Sequence, residues 1–273
     1  MKFISGVNKK PTIERPEDLV GYSNNYFWLL DGATPPLGKK NRQLTQEYIC
    51  SLNSALCEFS RENYSTSELL RRSIEKVKGI FEEKYSLKDE EYLPYSTVVL
   101  VKFDNEIEYL VLGDSYLFID NSTTPTVITD DRLENIAVEE RKIVSDLKCS
   151  GIDEESLEYL TARKNLITKE LEYQNKENGY WVAGLDAKAA DYAVTGKIKC
   201  NQVPRIMATS DGLARLVTHL NYYSDFDSLA QSILKNGANS IFEKLRDLEE
   251  DETNFIKPIA SKHDDASFFI ISN

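Results

Sequence analysis

The chain has 273 residues, of which 41% are hydrophobic and 29% charged, and its net charge is −12. This composition is typical of a globular protein with a core and excludes disordered, collagen-like and disulfide-rich classes. Because an acidic chain repels phosphate backbones and anionic lipid surfaces, we expect neither nucleic-acid binding nor membrane association. No apolar run is long enough to span a membrane and no signal-peptide pattern is present, so we expect a cytoplasmic protein.

The first half of the chain alternates between strand and helix patterns. A continuous apolar run at 23–30 predicts a buried strand that ends at Asp31-Gly32. Apolar residues at helical spacing predict helices over 43–60 and 67–84. Runs of β-branched and aromatic residues predict strands at 96–103, 106–113, 115–120 and 124–130.

The second half begins with a charged segment of helical spacing, 132–176, which Ser150-Gly151 divides into two helices. Further strands are predicted at 181–182, 191–198, 205–210 and 267–272, and further helices at 213–220, 226–234 and 241–248. Because strands and helices do not alternate one for one, the pattern favours an α+β fold. We expect an antiparallel sheet core with helices packed outside it, not a doubly wound parallel sheet.

Acidic residues lie at the ends of four predicted strands: Asp31, Asp114, Asp211 and the pair Asp264-Asp265. Burying an unpaired carboxylate is costly because its charge loses its water. Several carboxylates are tolerated together when they converge on a divalent cation. Since the chain has only two histidines, a three-histidine metal site is excluded, and any metal must be a hard, oxygen-ligated cation.

Taken singly, each Asp-Gly pair has an equally simple structural interpretation. Asp-Gly is a common turn sequence, and Asp211 is also placed to cap the helix predicted from Leu213. Both interpretations stay open at each position. The repetition at four strand ends is what favours a metal site.

In order and spacing, these motifs resemble those of the metal-dependent serine/threonine protein phosphatases of the type 2C (PPM) family, in particular its compact bacterial members. The matching segments are Glu17-Asp18, Leu29-Leu30-Asp31-Gly32, the hairpin at 96–115 that ends in Gly-Asp-Ser, ATSDGL at 208–213 and HDDASFFII at 263–271. The resemblance covers residues 5–272. It implies one phosphatase-like domain over 1–273, built as a β-sandwich of two antiparallel sheets flanked by helix pairs.

The resemblance implies two Mg²⁺ or Mn²⁺ ions at one end of the sandwich. Asp31 would bridge both ions, the Gly32 carbonyl would bind one of them, and Asp211 and Asp264 would bind the other; these three aspartates are the predicted catalytic residues. The acids implied to surround them are Glu17, Asp18, Asp114 and Asp265. A water between two cations loses a proton readily, so the implied reaction is its direct attack on the phosphorus of a phosphoserine or phosphothreonine in a protein substrate.

Three positions depart from the family pattern. Ala33 stands where many members have a histidine proposed to protonate the leaving oxygen, a group worth on the order of 10²–10⁴-fold in rate. The usual position of the phosphate-binding arginine is Ile13, and the substitute we predict is Arg15. Arg215 stands where some members place a ligand of a third metal, so repulsion predicts two ions. Asp114 would then pair with Arg215.

Two alternatives remain open at this stage. The segment 132–176 falls at the variable flap of the family, where it either sets substrate choice or only packs. Ala33 and the missing arginine also suit a pseudophosphatase or regulatory module that binds a phosphorylated partner without turnover. A third possibility is an acidic scaffold whose Asp-Gly pairs are only turns and caps. No feature of the sequence specifies an oligomeric state.

Overall fold

Two antiparallel five-stranded sheets form the centre of the computed structural model, which describes residues 2–34, 42–85, 93–121, 124–199, 203–257 and 261–272. The strands are β1 (Lys2–Asn8), β2 (Asp18–Ser23), β3 (Tyr26–Ala33), β4 (Tyr95–Phe103), β5 (Glu106–Leu112), β6 (Tyr116–Asp120), β7 (Thr126–Ile128), β8 (Val194–Lys199), β9 (Arg205–Thr209) and β10 (Ala266–Ser272). The helices are α1 (Arg42–Phe59), α2 (Thr66–Lys84), α3 (Val138–Cys149), α4 (Leu157–Tyr173), α5 (Asp211–Thr218), α6 (Phe226–Asn236) and α7 (Ala238–Glu249).

The two sheets face each other as a sandwich. One has the strand order β1-β10-β9-β6-β7 and the other β2-β3-β4-β5-β8. Their facing sides bury an apolar core that includes Phe27, Val99 and Phe269, because alternate residues of each strand point inward.

Helices cover the outer faces of both sheets. The helices α1 and α2 pack on the second sheet around Trp28, and α5 to α7 pack on the first sheet around Phe268. This arrangement confirms the predicted β-sandwich of two antiparallel sheets with helices on either side. None of the helices in the described ranges is long and apolar enough to cross a bilayer.

Two element predictions are wrong in detail. The strand predicted to end at Asp31-Gly32 continues through that pair to Ala33, because β4 keeps pairing with β3 as far as Tyr95. The strand predicted at 181–182 does not form. The residues on either side form isolated bridges instead. Tyr180 bridges to Gln174, and Ala183 and Ser96 exchange backbone hydrogen bonds of 2.8 and 2.9 Å.

Candidate active site

Strand pairing places the first two acidic motifs side by side. Asp18 begins β2, and the antiparallel register sets it directly opposite Asp31 in β3. Asp31 is in turn opposite Thr97 in β4. Because directly paired residues of an antiparallel sheet point to the same face, the two carboxylates are neighbours at one end of the second sheet.

The other two motifs meet at the same end of the first sheet. Asp211 opens α5 immediately after β9, and Asp264 lies just before β10, the neighbour of β9. Ser210 ties the two segments together: its backbone N–H donates to the Ser267 carbonyl at 3.1 Å, and its hydroxyl accepts from the Ser267 N–H at 2.9 Å. These bonds hold Asp211 beside the Asp264 segment.

Neither Asp-Gly pair is a turn. The first lies inside β3, and the second forms the first two residues of α5, whose N-cap is Ser210. Each glycine permits a close backbone approach instead. A Cβ on Gly32 would lie 2.5 Å from the Glu17 carbonyl oxygen, and a Cβ on Gly212 would lie 1.8 Å from that of Asp265. The turn interpretation is therefore wrong at both positions.

A cavity of about 530 Å³ opens where the two sheets bring these motifs together. The acidic residues that line it are Glu17, Asp31, Asp114, Glu170, Asp211 and Asp264. Gly32 and Ala33 also line it. The three aspartates predicted to be catalytic, which are far apart in the chain, therefore share one cavity.

Burial and mutual repulsion make the carboxyl groups of Asp18, Asp31 and Asp211 hard to ionise. Burial, reinforced by Asp265, raises the pKa of Asp18 to about 7. Burial, reinforced by Asp264 and Asp114, raises the pKa of Asp211 to about 8. The pKa of Asp31 is also raised well above its usual value by burial and by its acidic neighbours. The cavity thus concentrates negative charge that a cation would stabilise.

Asp18 provides separate support for a cation. Neither of its carboxylate oxygens meets hydrogen-bond geometry with a described residue, although the Ser267 hydroxyl and Asp31 lie close enough to act as hydrogen-bonding groups that lower its pKa. An unpartnered buried carboxylate is costly, and a cation or its water would supply the missing partner. The oxygen-only donors suit Mg²⁺ or Mn²⁺. Among the described residues no three acidic, histidine or cysteine side chains close around a single point, so the fit rests on donor chemistry and charge.

Among the cations that line the cavity, Arg42 Nη1 lies 3.9 Å from Glu17 Oε2, and Lys10 contacts two acids. Its Nζ lies 3.4 Å from Asp264 Oδ1 and 3.5 Å from Glu17 Oε2. Its backbone N–H donates to Asp265 Oδ1 at 2.7 Å, and the Glu17 N–H donates to Asp265 Oδ2 at 2.6 Å. Asp265 therefore fixes the loop that carries Lys10 into the cavity.

Arg15, which we predicted to bind phosphate, is exposed and is not among the residues that line the cavity. The sequence reasoning passed over Lys10 because its position depends on the hydrogen bonds that a distant aspartate makes to its loop. The only available signal was the pair of lysines directly after β1.

The predicted pairing of Asp114 with Arg215 is wrong. Arg215 Nη1 lies 3.0 Å from Glu249 Oε1, and Nη2 lies 3.5 Å from Asp264 Oδ2. Glu249 is fully buried, and it also accepts from Arg246 at 2.6 Å and lies 3.0 Å from His263 Nδ1. Arg246 donates to the Asp264 carbonyl at 2.8 Å. This buried network, which the sequence did not reveal, contacts both the side chain and the backbone carbonyl of Asp264.

The helices of 132–176 form part of the cavity wall. Leu133, Arg163 and Glu170 line the cavity, and Glu170 accepts from Arg141 at 2.7 Å, which links α4 to α3. This segment therefore borders the acidic residues and does not pack away from them.

The raised pKa values predict how stability depends on pH without metal. An acid whose pKa is higher in the folded state stabilises the fold while it is protonated, and this contribution is lost as the pH rises through the folded value. For Asp18 and Asp211 this stability declines from the ordinary carboxyl pKa of 3.8 up to the folded pKa values of about 7 and about 8. In EDTA, we expect the melting temperature to fall by several degrees from about pH 5 to about pH 8, since about 1 kcal/mol shifts Tm by about 2–4 °C in a large domain.

Thermal unfolding across this pH range checks the expectation. Added Mn²⁺ should remove or reverse the fall of the melting temperature with pH, because ionised carboxylates bind the metal better than protonated ones. A melting temperature that stays flat or rises with pH in EDTA would contradict the assigned pKa directions.

Comparisons with known proteins bear on the fold. No family model and no curated protein matches the chain. Among solved structures, a point variant of a bacterial serine phosphatase is 15% identical, with a TM-score of 0.59 over 100% of this chain and 98% of that one. Stp1 from Staphylococcus aureus is 17% identical, with a TM-score of 0.58 over 100% and 94%.

The Mycobacterium tuberculosis serine/threonine phosphatase PstP/Ppp is 13% identical, with a TM-score of 0.57 over 98% of this chain and 97% of that one. The PstP catalytic domain solved in complex with two manganese ions is 14% identical, with a TM-score of 0.53 over 98% and 96%. Identities this low show the fold alone. The chain therefore has the fold of the bacterial PPM, or type 2C, serine/threonine phosphatases.

Proposed function

We propose that this protein is a metal-dependent phosphatase that removes phosphate from phosphoserine or phosphothreonine of protein substrates. The observation that carries the proposal is the meeting of Asp31, Asp211 and Asp264 in one acidic cavity. Asp31 lies in one sheet, and Asp211 and Asp264 adjoin strands of the other. A scaffold would have no need to gather carboxylates such as Asp31 and Asp211, whose pKa values are raised by burial and mutual repulsion.

Two Mg²⁺ or Mn²⁺ ions would be held by Asp31, the Gly32 carbonyl, Asp211 and Asp264. When bound, they would acidify water for attack on phosphorus and stabilise charge on the phosphoryl oxygens. The chain itself supplies orientation. Asp18 lies directly opposite Asp31, and Asp265 anchors the loop that carries Glu17 and Lys10. Asp114 completes the acidic lining.

Lys10 is our candidate to bind the substrate phosphate, because its ammonium lies 3.4 Å from Asp264, whereas the guanidinium of Arg42, which also lines the cavity, lies 3.9 Å from Glu17. Burial alone would lower its pKa, but Asp264, Asp265 and Glu17 raise it above its usual value, so the side chain stays charged. A lysine ammonium is a compact point charge that pairs well with phosphate. Lys10 replaces Arg15 in this role.

Replacement of Lys10 by methionine is expected to raise KM for a phosphopeptide about tenfold, with a smaller change in kcat, because hydrogen bonds to charged groups contribute about 1.5–3 kcal/mol. Steady-state kinetics in Mn²⁺ measure this. The matched control is Lys9→Met, since the Lys9 ammonium donates to the Ile13 carbonyl and does not line the cavity. Equal KM values for the two variants would show that Lys10 does not bind the substrate phosphate.

The proposed activity is tested by Mn²⁺-dependent hydrolysis of a phosphothreonine peptide and of p-nitrophenyl phosphate by the pure protein. We expect turnover of both, abolished by EDTA. The second candidate is a module that binds a phosphorylated partner without turnover, and Ala33 favours it because a methyl group offers no proton. That candidate predicts phosphopeptide binding with no metal-stimulated rate.

A further inference from the structure

The antiparallel register places a tyrosine beside Ala33. Tyr95 opens β4 and is directly opposite Ala33 in β3, just as Thr97 is opposite Asp31. Directly paired side chains point to the same face of a sheet, so Tyr95 and Ala33 are neighbours next to Asp31. Asp31, Ala33, Tyr95 and Thr97 all line the cavity. Because the Ala33 side chain is small, the Tyr95 phenol has room beside Asp31.

The hydroxyl of Tyr95 is available for chemistry. Among the described residues it makes no hydrogen bond, whereas the hydroxyl of the core residue Tyr48 donates to the Ala183 carbonyl at 2.8 Å. A phenol has an ordinary pKa of about 10 and is therefore protonated at neutral pH.

Other donors in the cavity are less suited. His263 is held by Glu249 at 3.0 Å through Nδ1, and its Nε2 lies 3.7 Å from Glu250. Tyr180 lines the cavity but is only 6% exposed and is not in a strand that pairs with β3. The register places two hydroxyl groups beside Asp31, with Thr97 directly opposite it and Tyr95 opposite Ala33. The Thr97 hydroxyl is already hydrogen-bonded to the Ser115 hydroxyl at 2.6 Å, which leaves Tyr95 as the donor.

We propose that Tyr95 is a catalytic residue that protonates the leaving oxygen of the phosphorylated side chain, an inference that rests on the proposed phosphatase function. The oxygen of the attacking water bonds to phosphorus and gives its proton to solvent. As the bond from phosphorus to the serine or threonine oxygen breaks, the phenol proton passes to that oxygen. The products are inorganic phosphate and the free hydroxyl side chain, and the phenolate regains a proton from solvent.

The leaving group provides the test. A serine or threonine alkoxide is strongly basic and needs a proton, whereas p-nitrophenolate leaves as a stable anion. For Tyr95→Phe, we expect kcat/KM for a phosphothreonine peptide to fall about 10²-fold, the usual contribution of a general acid. We expect kcat/KM for p-nitrophenyl phosphate to change by less than about threefold. The matched control, Tyr180→Phe, should leave the ratio of the two rates unchanged.

A rescue variant separates proton donation from structure. Adding Ala33→His to Tyr95→Phe places a donor on the opposite strand of the same pair, and we expect it to restore part of the peptide rate. The inference is overturned if Tyr95→Phe reduces kcat/KM equally for both substrates or changes neither value. It is also overturned if Tyr180→Phe shows the selective loss of activity on the phosphopeptide. A wild-type protein inactive on both substrates would overturn the proposed function, and the inference with it.

Discussion

Replacement of Asp31 by asparagine is expected to reduce Mn²⁺-dependent phosphate hydrolysis to background, a loss of at least about 10³-fold, the upper end of what one electrostatic partner of a transition state contributes. Asp31 lies opposite Asp18 and shares the cavity with Asp211 and Asp264, so it is the residue best placed to hold both ions. Asp211→Asn should have a similar effect, because Asp211 lines the same cavity from the other sheet.

The loss of activity should not come from unfolding. The pKa of Asp31 is raised by burial and by repulsion from its acidic neighbours, so a neutral amide at this position relieves an unfavourable charge. The melting temperature in EDTA should therefore stay equal or rise, while the stabilisation by Mn²⁺ should be lost. Asp104→Asn, in the exposed turn between β4 and β5, serves as the matched control and should keep both properties. Full activity in Asp31→Asn would show that the site is wrongly assigned.

Glu249→Ala is expected to cost about 3–5 kcal/mol in the free energy of unfolding, the typical loss when one partner of a buried ion pair is removed. Glu249 is fully buried and joins Arg215, Arg246 and His263. Its removal leaves the Arg215 guanidinium without its closest carboxylate. Urea unfolding of the metal-free protein measures the change directly.

The neighbouring residue offers a control for this prediction. The Glu250 side chain is 67% exposed and bonds to Lys262 at the surface, so Glu250→Ala should change stability little. Because Arg215 and Arg246 also contact Asp264, Glu249→Ala should in addition weaken Mn²⁺ binding about 10–100-fold, as losing a group that orients a metal ligand does. Equal free energies of unfolding for the two variants would show that the buried network does not stabilise the fold.

The sequence predicted the architecture because its strands and helices bury apolar residues in recognisable patterns. Runs of β-branched and aromatic residues indicated β4 and β5, and helical spacing of apolar residues indicated α1 and α2, since both patterns follow from burial against a core. The aspartates of the site were found because each adjoins an apolar strand. The end of β3 was misplaced because the local Asp-Gly signal was weaker than continued pairing with β4, which extends to Ala33.

The residues that sequence reasoning missed depend on contacts between distant segments. Lys10 reaches the cavity through Asp265, Glu249 meets Arg215 from another helix, and Tyr95 meets Ala33 through strand register. No spacing along one segment encodes these contacts. Arg15 was predicted only from its nearness in sequence to the usual position of the arginine, which does not give the path of the loop, and it is exposed and does not line the cavity.

The measurement that tests the central claim most directly is anomalous diffraction from a crystal grown with Mn²⁺. The account predicts two manganese peaks inside the cavity, within ligand distance of Asp31, Asp211 and Asp264 oxygens. No peak among these three carboxylates, or manganese bound only elsewhere on the molecule, would contradict it.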